Sequence, residues 1–180
     1  TRAWLLTTLA ELELRDGQPV AAETAFKQAL EVENGGYTLL TYADFLFEQK
    51  REEEALALLL PQPRTDAVML RLAMVGARLN TPNAAVDARV VREAMAQANL
   101  RPEARSTHAR EQAMFALWVE AKPAAALALA RENVRRQREP LDLLVLAHAA
   151  RASGAANAIR EADQLRKEMG LRDQRLDALL

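Results

Sequence analysis

Apolar residues recur through residues 9–34 at steps of three and four, the period of an α-helix with one buried face. The residues in this buried face are predicted to be Leu9, Leu12, Ala22, Phe26, Ala29 and Leu30. Gly17 stands where the first helix must end, because glycine accepts the left-handed backbone of a helix C-cap. Pro19 follows at a first-turn position, where its missing N–H costs nothing. The stretch therefore predicts two short helices joined by a tight turn at residues 16–18.

The rest of the chain repeats this helical hairpin in looser form. Tyr42-Ala43 and Ala55 with Leu59 recur about 33 residues further on, near the period of a common helical repeat. Gly154 and Gly170 fall at later predicted helix ends. Residues 173–180 are apolar enough to form a last helix that caps the array. The five predicted pairs span residues 2–15 with 19–33, 37–49 with 52–60, 66–79 with 83–98, 102–121 with 123–138, and 141–153 with 155–169.

The order of small and aromatic residues in the first hairpin resembles the tetratricopeptide repeat (TPR). Leu9-Ala10, Gly17, Ala22, Phe26 and Ala29 carry the resemblance. The hairpin departs from the pattern at Glu13, where tyrosine is usual, and at Asn34, where proline is usual. The resemblance implies an all-α, right-handed α–α superhelix, a TPR-like solenoid of about five helix pairs plus a C-terminal capping helix. No internal segment is long or polar enough for a linker, so we expect one domain over residues 1–180.

Longer strings are similar to the C-terminal repeats of a proteobacterial TPR family of unknown function. This resemblance implies that further repeats precede Thr1, so we expect the chain to be a piece of a longer repeat protein. Proteins of this family often look exported, which implies a periplasmic location, and a cytoplasmic one stays open. The family carries no catalytic motif that can be transferred to this chain. The strings are residues 39–47, 54–60, 69–73, 108–117 and 123–131, with residues 138–140 and 170–171.

Composition narrows the possible partners. The 180 residues are 50% hydrophobic but only 4% aromatic, which favours thin helix-on-helix packing over a sheet. The formal net charge of −1 gives no strong field toward nucleic acid or an anionic membrane. The chain contains no cysteine, which excludes disulfides and thiolate chemistry. No apolar run approaches the roughly 18 residues of a membrane span, so we expect no membrane insertion.

In solenoids of this kind, the first helix of each pair lines a concave wall that binds an extended or helical peptide. Aromatic side chains there supply contact area, and arginines supply directional donors. Two alternatives stay open: Phe47, Phe115 and Trp118 could fill gaps between helices, and the polar residues could form a solvated face. The predicted peptide-binding residues are Tyr37, Asp44, Phe47, Arg71, Met74, Arg78, His108, Glu111, Phe115, Trp118, His148 and Arg151, beside Thr7, Glu11, Thr41 and Gln112.

His108, Glu111 and His148 are the residues nearest to a metal-ligand set. His108 and Glu111 share a helix face, but His148 is expected almost two turns away along the next first helix, roughly 10 Å. A single ion needs its ligand atoms within about 2.0–2.2 Å. We therefore expect capping or surface histidines. No nucleophile or phosphate-binding loop stands out either, so we expect no metal, no cofactor and no enzymatic activity.

One basic run could contact phosphates, because Arg131 and Arg135 lie on one helix stripe. Arg136 and Arg138 continue the run, but Glu132 and Glu139 interleave it, so a solvated face is predicted and no nucleic-acid partner is expected.

The sequence thus favours a non-catalytic module that binds a protein or peptide segment on its concave face. A structural role is the alternative, in which a homo-oligomer forms through the apolar ends of the chain. Those ends carry Trp4, Leu5, Leu6, Leu176, Leu179 and Leu180.

Overall fold

A computed structural model describes residues 1–100 and 108–180, and within them every regular element is an α-helix, with no strand. The all-α prediction is therefore confirmed. The eleven described helices are α1 (Arg2–Arg15), α2 (Pro19–Val32), α3 (Gly36–Glu48), α4 (Glu52–Leu59), α5 (Asp66–Leu79), α6 (Ala84–Asn99), α7 (Ala109–Trp118), α8 (Pro123–Val134), α9 (Pro140–Ser153), α10 (Ala156–Glu168) and α11 (Gln174–Leu179).

The predicted helix ends agree with the described ends to about one residue, within the usual spread of such assignments, except in α7 and α8. Helix α7 ends at Trp118 rather than at residue 121, because Ala121 adopts a left-handed backbone with φ 52°. Helix α8 ends at Val134 rather than at residue 138. Glu139 is extended before Pro140, which disfavours a helical conformation in the residue that precedes it. The predicted start of α7 at residue 102 lies outside the described residues.

Glycine and proline mark the turns as the sequence predicts. Gly17 between α1 and α2 has φ 72°, and Gly154 after α9 has φ 67°, both in the left-handed region that glycine tolerates. Pro19 and Pro123 stand at the first turns of α2 and α8. These residues end one helix and start the next, so each hairpin turn is encoded locally.

The residues Thr1–Val91 form one compact unit, in which consecutive helices pack in neighbouring pairs. Helix α1 packs against α2, α3 against α4, and α4 against α5. Helix α3 also contacts both α1 and α5, so these three first helices stand side by side. Phe26 of α2 is fully buried and stacks on Tyr42 of α3 at a ring-centroid distance of 5.3 Å.

The residues Arg92–Leu180 form a second compact unit with the same neighbour pattern. Helix α8 packs against both α7 and α9, α9 packs against α10, and α7 also contacts α9. Helix α11 lies against α9 with Leu176 fully buried. The joining of both units into one domain over residues 1–180 stays a prediction.

One prediction about α1 is wrong: Leu9 and Leu12 do not face the core. The packed face of α1 consists of Ala3, Thr7, Ala10 and Leu14. Helix α1 is apolar around most of its circumference, so three- and four-residue steps fit two opposite faces. Small side chains let the neighbouring helices approach closely, which explains why the alanine face is the one that packs.

Candidate functional site

The predicted binding residues of the first unit lie along α1, α3 and α5. We call the row formed by Glu11, Tyr37, Thr41, Asp44, Arg71 and Arg78 the first-helix wall. In the structure, most of these side chains contact a residue on the neighbouring first helix. The contacts between α1 and α3, and then between α3 and α5, show what each pair does.

Tyr37 links α3 to α1. Its Oη donates a hydrogen bond of 2.7 Å to Glu11 Oε1, while the tyrosine side chain stays exposed. The hydroxyls of Thr7 and Thr38 lie 2.7 Å apart within the buried part of the same helix pair. Thr41 donates from its hydroxyl to the backbone oxygen of Tyr37. These bonds hold the Tyr37 ring in place at the surface without burying it.

Asp44 and Arg71 link α3 to α5 by a two-fold hydrogen-bonded ion pair. Arg71 Nε donates to Asp44 Oδ1 at 2.9 Å, and Nη2 donates to Oδ2 at 2.7 Å. The remaining Nη1 donates to the backbone oxygen of Ala67 at 3.2 Å. Arg71 is buried, and its donors are engaged within the protein. This geometry is the strong, directional form of an arginine–carboxylate contact.

Arg78 at the end of α5 covers the aromatic ring of Phe47. Its guanidinium carbon lies 3.6 Å from the ring centroid, and Nη1 donates to the Phe47 backbone oxygen and to Glu52 Oε1. Burial by itself raises the pKa of Glu52, but the hydrogen bond from Arg78, a backbone hydrogen bond and the charges of Arg78 and Lys50 together hold that pKa below its usual value. Phe47 and Met74 are buried and offer little surface to a ligand. The burial of Phe47 matches the gap-filling alternative.

These links join residues that are 26 to 31 positions apart along the chain. Thr7 pairs with Thr38 and Arg78 with Phe47 at 31 residues, while Tyr37 pairs with Glu11 at 26 and Arg71 with Asp44 at 27. Sequence reasoning placed these residues on one wall but missed that they bond to each other. An alignment of the helical repeats with one another, in which residues about one repeat apart are compared, could have revealed these pairs from the sequence.

The predicted residues of the second unit lie on α7 and α9. The rings of Trp118 and His148 meet edge to face at 5.6 Å, and both side chains are half-buried. Phe115 is buried, with the guanidinium of Arg92 5.6 Å from its ring centroid, again as the gap-filling alternative requires. Trp118 and His148 are therefore the predicted site residues that the structure brings together here.

The other predicted residues of this unit stand near helix ends or bond locally. His108 is exposed at the N-cap of α7, and Arg151 is exposed in the last turn of α9. Glu111 lies 3.6 Å from Arg110, and Gln112 donates to Asn99. Within residues 1–100 and 108–180, no group of three or more His, Cys, Asp or Glu side chains has the arrangement of a metal site.

Sequence reasoning also missed a buried polar cluster at the start of α9. Asp142 is almost fully buried, and it accepts from Asn133 Nδ2 at 2.7 Å and from the backbone nitrogen of Glu139 at 2.8 Å. Burial lowers the pKa of Arg110, but its hydrogen bond to Glu139 and the charge of Asp142 raise it above the usual value overall. The cluster provides hydrogen-bond partners for the first turn of α9 and links α8 to α9, which is a structural role.

The basic run of α8 is engaged within the chain. Arg131 pairs with Glu161 at 2.7 Å, and Arg135 and Arg136 both pair with Glu132, at 3.1 and 3.4 Å. Arg138 donates to the backbone oxygen of Val134. These carboxylates neutralise much of the positive charge that a phosphate contact would use.

No helix in the described part of the chain combines the length and apolar character needed to cross a membrane. Comparison with protein-family models, with curated proteins and with solved structures gives no match. The function must therefore be inferred from the surfaces that the chain itself presents.

Proposed function

We propose that this protein is a non-catalytic interaction module of the TPR type, which binds an extended or helical segment of a partner protein on the first-helix wall. The proposal includes a right-handed superhelix of about five helical hairpins. It is supported by the neighbour pattern of α1, α3 and α5 and by the recurring links between them.

The observation that carries the proposal is the exposed ring of Tyr37 on a wall whose deeper polar groups are already bonded. Asp44 and Arg71 satisfy each other, so an incoming segment does not have to break them apart. The bond to Glu11 fixes the Tyr37 side chain, which reduces the entropy that binding would cost. Exposed tyrosines held in this way are frequent hot spots of protein interfaces.

The wall also indicates the chemistry of its partner. Glu11 is half-buried, and its carboxylate accepts the hydrogen bond from Tyr37. An apolar or aromatic side chain of the partner can pack on the exposed Tyr37 ring. We therefore expect the bound segment to place an apolar or aromatic residue against Tyr37.

A selection of random peptides displayed on phage, against the intact chain, tests this proposal. The dissociation constant of a selected peptide should rise at least about tenfold in Tyr37→Ala, a loss typical of an interface tyrosine. Val20→Ala is the matched control, since Val20 is 80% exposed on α2 and away from the wall residues. Peptides that bind wild type and Tyr37→Ala equally well would overturn the proposal.

Trp118 tests the second unit separately. If its half-buried ring belongs to a binding surface rather than to the packing of this unit, Trp118→Ala should leave the thermal unfolding temperature within a few degrees of wild type. A large fall in that temperature would instead assign Trp118 to packing against His148.

A second candidate function is self-assembly, and the exposed apolar residues of α1 favour it. The sequence predicts that the apolar C-terminal residues Leu176, Leu179 and Leu180 also take part in such an assembly. Leu176 is fully buried against α9, and Leu179 and Leu180 are half-buried, so the C-terminal end presents little free apolar surface. Any assembly through apolar ends therefore depends on α1.

A further inference from the structure

The connection between α2 and α3 contains the one asparagine of the chain that is followed by glycine, Asn34-Gly35. It consists of residues 33–35, between the end of α2 at Val32 and the start of α3 at Gly36. Glu33 and Gly35 have extended backbones, with φ −150° and 160°, so no helix constrains this stretch. Asn34 is exposed, and its carboxamide makes no hydrogen bond within the described chain. The carboxamide can therefore turn toward the backbone that follows it.

Asparagine is a chemically labile residue because its side chain can react with the next backbone nitrogen. Here the nitrogen of Gly35 would attack Cγ of Asn34, and the C–N bond of the carboxamide would break. Ammonia leaves with the proton of the Gly35 amide, and a five-membered succinimide ring remains. Water then opens the ring at either of its two carbonyl carbons. Breaking the new bond to Cγ gives aspartate, and breaking the bond to the backbone carbonyl carbon gives isoaspartate.

Gly35 removes the usual obstacles to this reaction. It has no Cβ beside its nitrogen, and glycine permits backbone rotations that other residues resist. Its N–H donates to the backbone oxygen of Glu33 at 3.2 Å, which is a γ-turn bond rather than a helix bond. No atom lies within 4 Å of the place where a Cβ of Gly35 would stand, so its surroundings are open. We propose that Asn34-Gly35 is a site of spontaneous deamidation in the folded protein.

Two other asparagines serve as internal comparisons. Asn157 is also exposed but lies in α10, where its Oδ1 accepts from the backbone nitrogen of Ala158 at 3.0 Å. The same nitrogen donates to the backbone oxygen of Ala155 at 2.9 Å. A nitrogen held by these bonds keeps the proton that it must lose to attack. Asn133 is buried, and its Nδ2 donates to Asp142. We therefore expect both asparagines to react much more slowly than Asn34.

Deamidation would change the chain at the start of α3. Either product adds a negative charge three residues before Tyr37. Isoaspartate also routes the backbone through Cγ, which adds one carbon to a connection of only three residues. Because this connection joins the first two hairpins, its lengthening alters the chain next to Tyr37, whether or not the first-helix wall binds a partner.

Peptide mapping by mass spectrometry, after incubation of the intact chain at mildly alkaline pH, tests the proposal. Trypsin releases Asn34 within residues 28–50 and Asn157 within residues 152–160, so the two sites are read separately. The first peptide should acquire the mass of a deamidated asparagine, which fragmentation assigns to Asn34, in aspartyl and isoaspartyl forms that chromatography separates. The second should stay unchanged over the same period. An unchanged first peptide, or equal conversion at Asn34 and Asn157, would overturn the proposal.

Gly35→Ala tests the role of the attacking nitrogen. The extended backbone of Gly35 suits alanine and there is room for its Cβ, so the variant should match wild type in circular dichroism and thermal unfolding. The added Cβ hinders the attack, so conversion of Asn34 should slow at least about tenfold. Asn34→Gln should also prevent conversion, because its longer side chain would have to close a six-membered ring. Conversion of Asn34 at the wild-type rate in Gly35→Ala would overturn the proposal.

Discussion

Glu23 on α2 is held by three side chains. Arg51 Nη1 and Nη2 contact its two carboxylate oxygens at 2.6 and 2.9 Å, Lys27 lies at 2.8 Å, and Tyr42 Oη donates at 3.1 Å. The hydrogen bonds from Arg51 lower the pKa of Glu23 from 4.5 to about 2, against the opposing effect of burial. Because Arg51 stands at the N-cap of α4, this carboxylate ties two second helices together.

The lowered pKa makes a prediction about acid stability. A carboxylate with a folded-state pKa below its unfolded value stabilises the protein above pH 4.5 and loses that effect as the pH falls toward 2. The Glu23 side chain is 19% exposed, and with solvent screening we expect about 1–2 kcal/mol at pH 7. Urea unfolding of wild type and Glu23→Gln should therefore differ by that amount at pH 7 and converge near pH 2.

Glu31→Gln is the matched control on the same helix, since Glu31 is exposed and has no ion-pair partner within the described chain. It should change the free energy of unfolding little at any pH. A constant difference between wild type and Glu23→Gln from pH 7 to pH 2 would show that ionisation of Glu23 is not the source of the stabilisation.

The Asp44–Arg71 pair predicts a larger effect. Asp44→Ala leaves the buried Arg71 guanidinium without its carboxylate, and stranding a largely buried charge costs about 3 kcal/mol. The free energy of unfolding from urea titration should fall by that amount. Asp44→Ala combined with Arg71→Met should recover much of it, because no stranded charge remains. An unchanged free energy in Asp44→Ala would mean that the pair is not formed in solution.

At the scale of the element, local signals predict most helix ends, although not the C-terminal ends of α7 and α8. Gly17, Pro19 and Gly154 act within one turn of their own position, so the sequence alone gave the ends of α1, α2 and α9 to about one residue. The packed face of α1 was not accessible in this way. Its apolar residues fit two opposite faces, and only the approach of α2 and α3 selects the alanine face.

The packing of Phe26 predicts that this side chain holds the first two hairpins together. Its buried ring stacks on Tyr42 and lies 5.7 Å from the ring of Phe45, so the aromatic side chain of α2 packs into α3. Phe26→Ala removes these contacts and leaves a cavity, which should cost about 3–5 kcal/mol in chemical denaturation. Val20→Ala on the exposed side of α2 should change the free energy by less than about 0.5 kcal/mol. Equal effects of the two substitutions would contradict this packing.

The packing of α11 against α9 makes a prediction about the free energy of unfolding. Leu176 is fully buried, so Leu176→Ala should lower the free energy of unfolding by about 2–5 kcal/mol. Leu179→Ala, at a half-buried residue of the same helix, should cost clearly less. Similar small effects of both would show that α11 does not cover α9 in solution.

At the scale of the whole molecule, the repeat pattern was visible and its cross-links were not. Periodicity reports which residues of a helix share a face. The links of Tyr37 to Glu11 and of Arg71 to Asp44 instead depend on the register between neighbouring helices, which brings together residues 26 and 27 positions apart. The same limit explains the aromatic residues of the candidate site. Spacing placed Phe47 and Phe115 on first helices, but only packing against neighbouring helices decides that both are buried.

The central claim is that the first-helix wall receives a protein segment. Amide hydrogen–deuterium exchange of the intact chain, with and without a selected peptide, tests it most directly. We predict slower exchange in α1, α3 and α5 on binding, with the largest change around Tyr37, because a bound segment covers these helices and limits their local opening. Peptide binding that leaves exchange in α1, α3 and α5 unchanged would contradict the account.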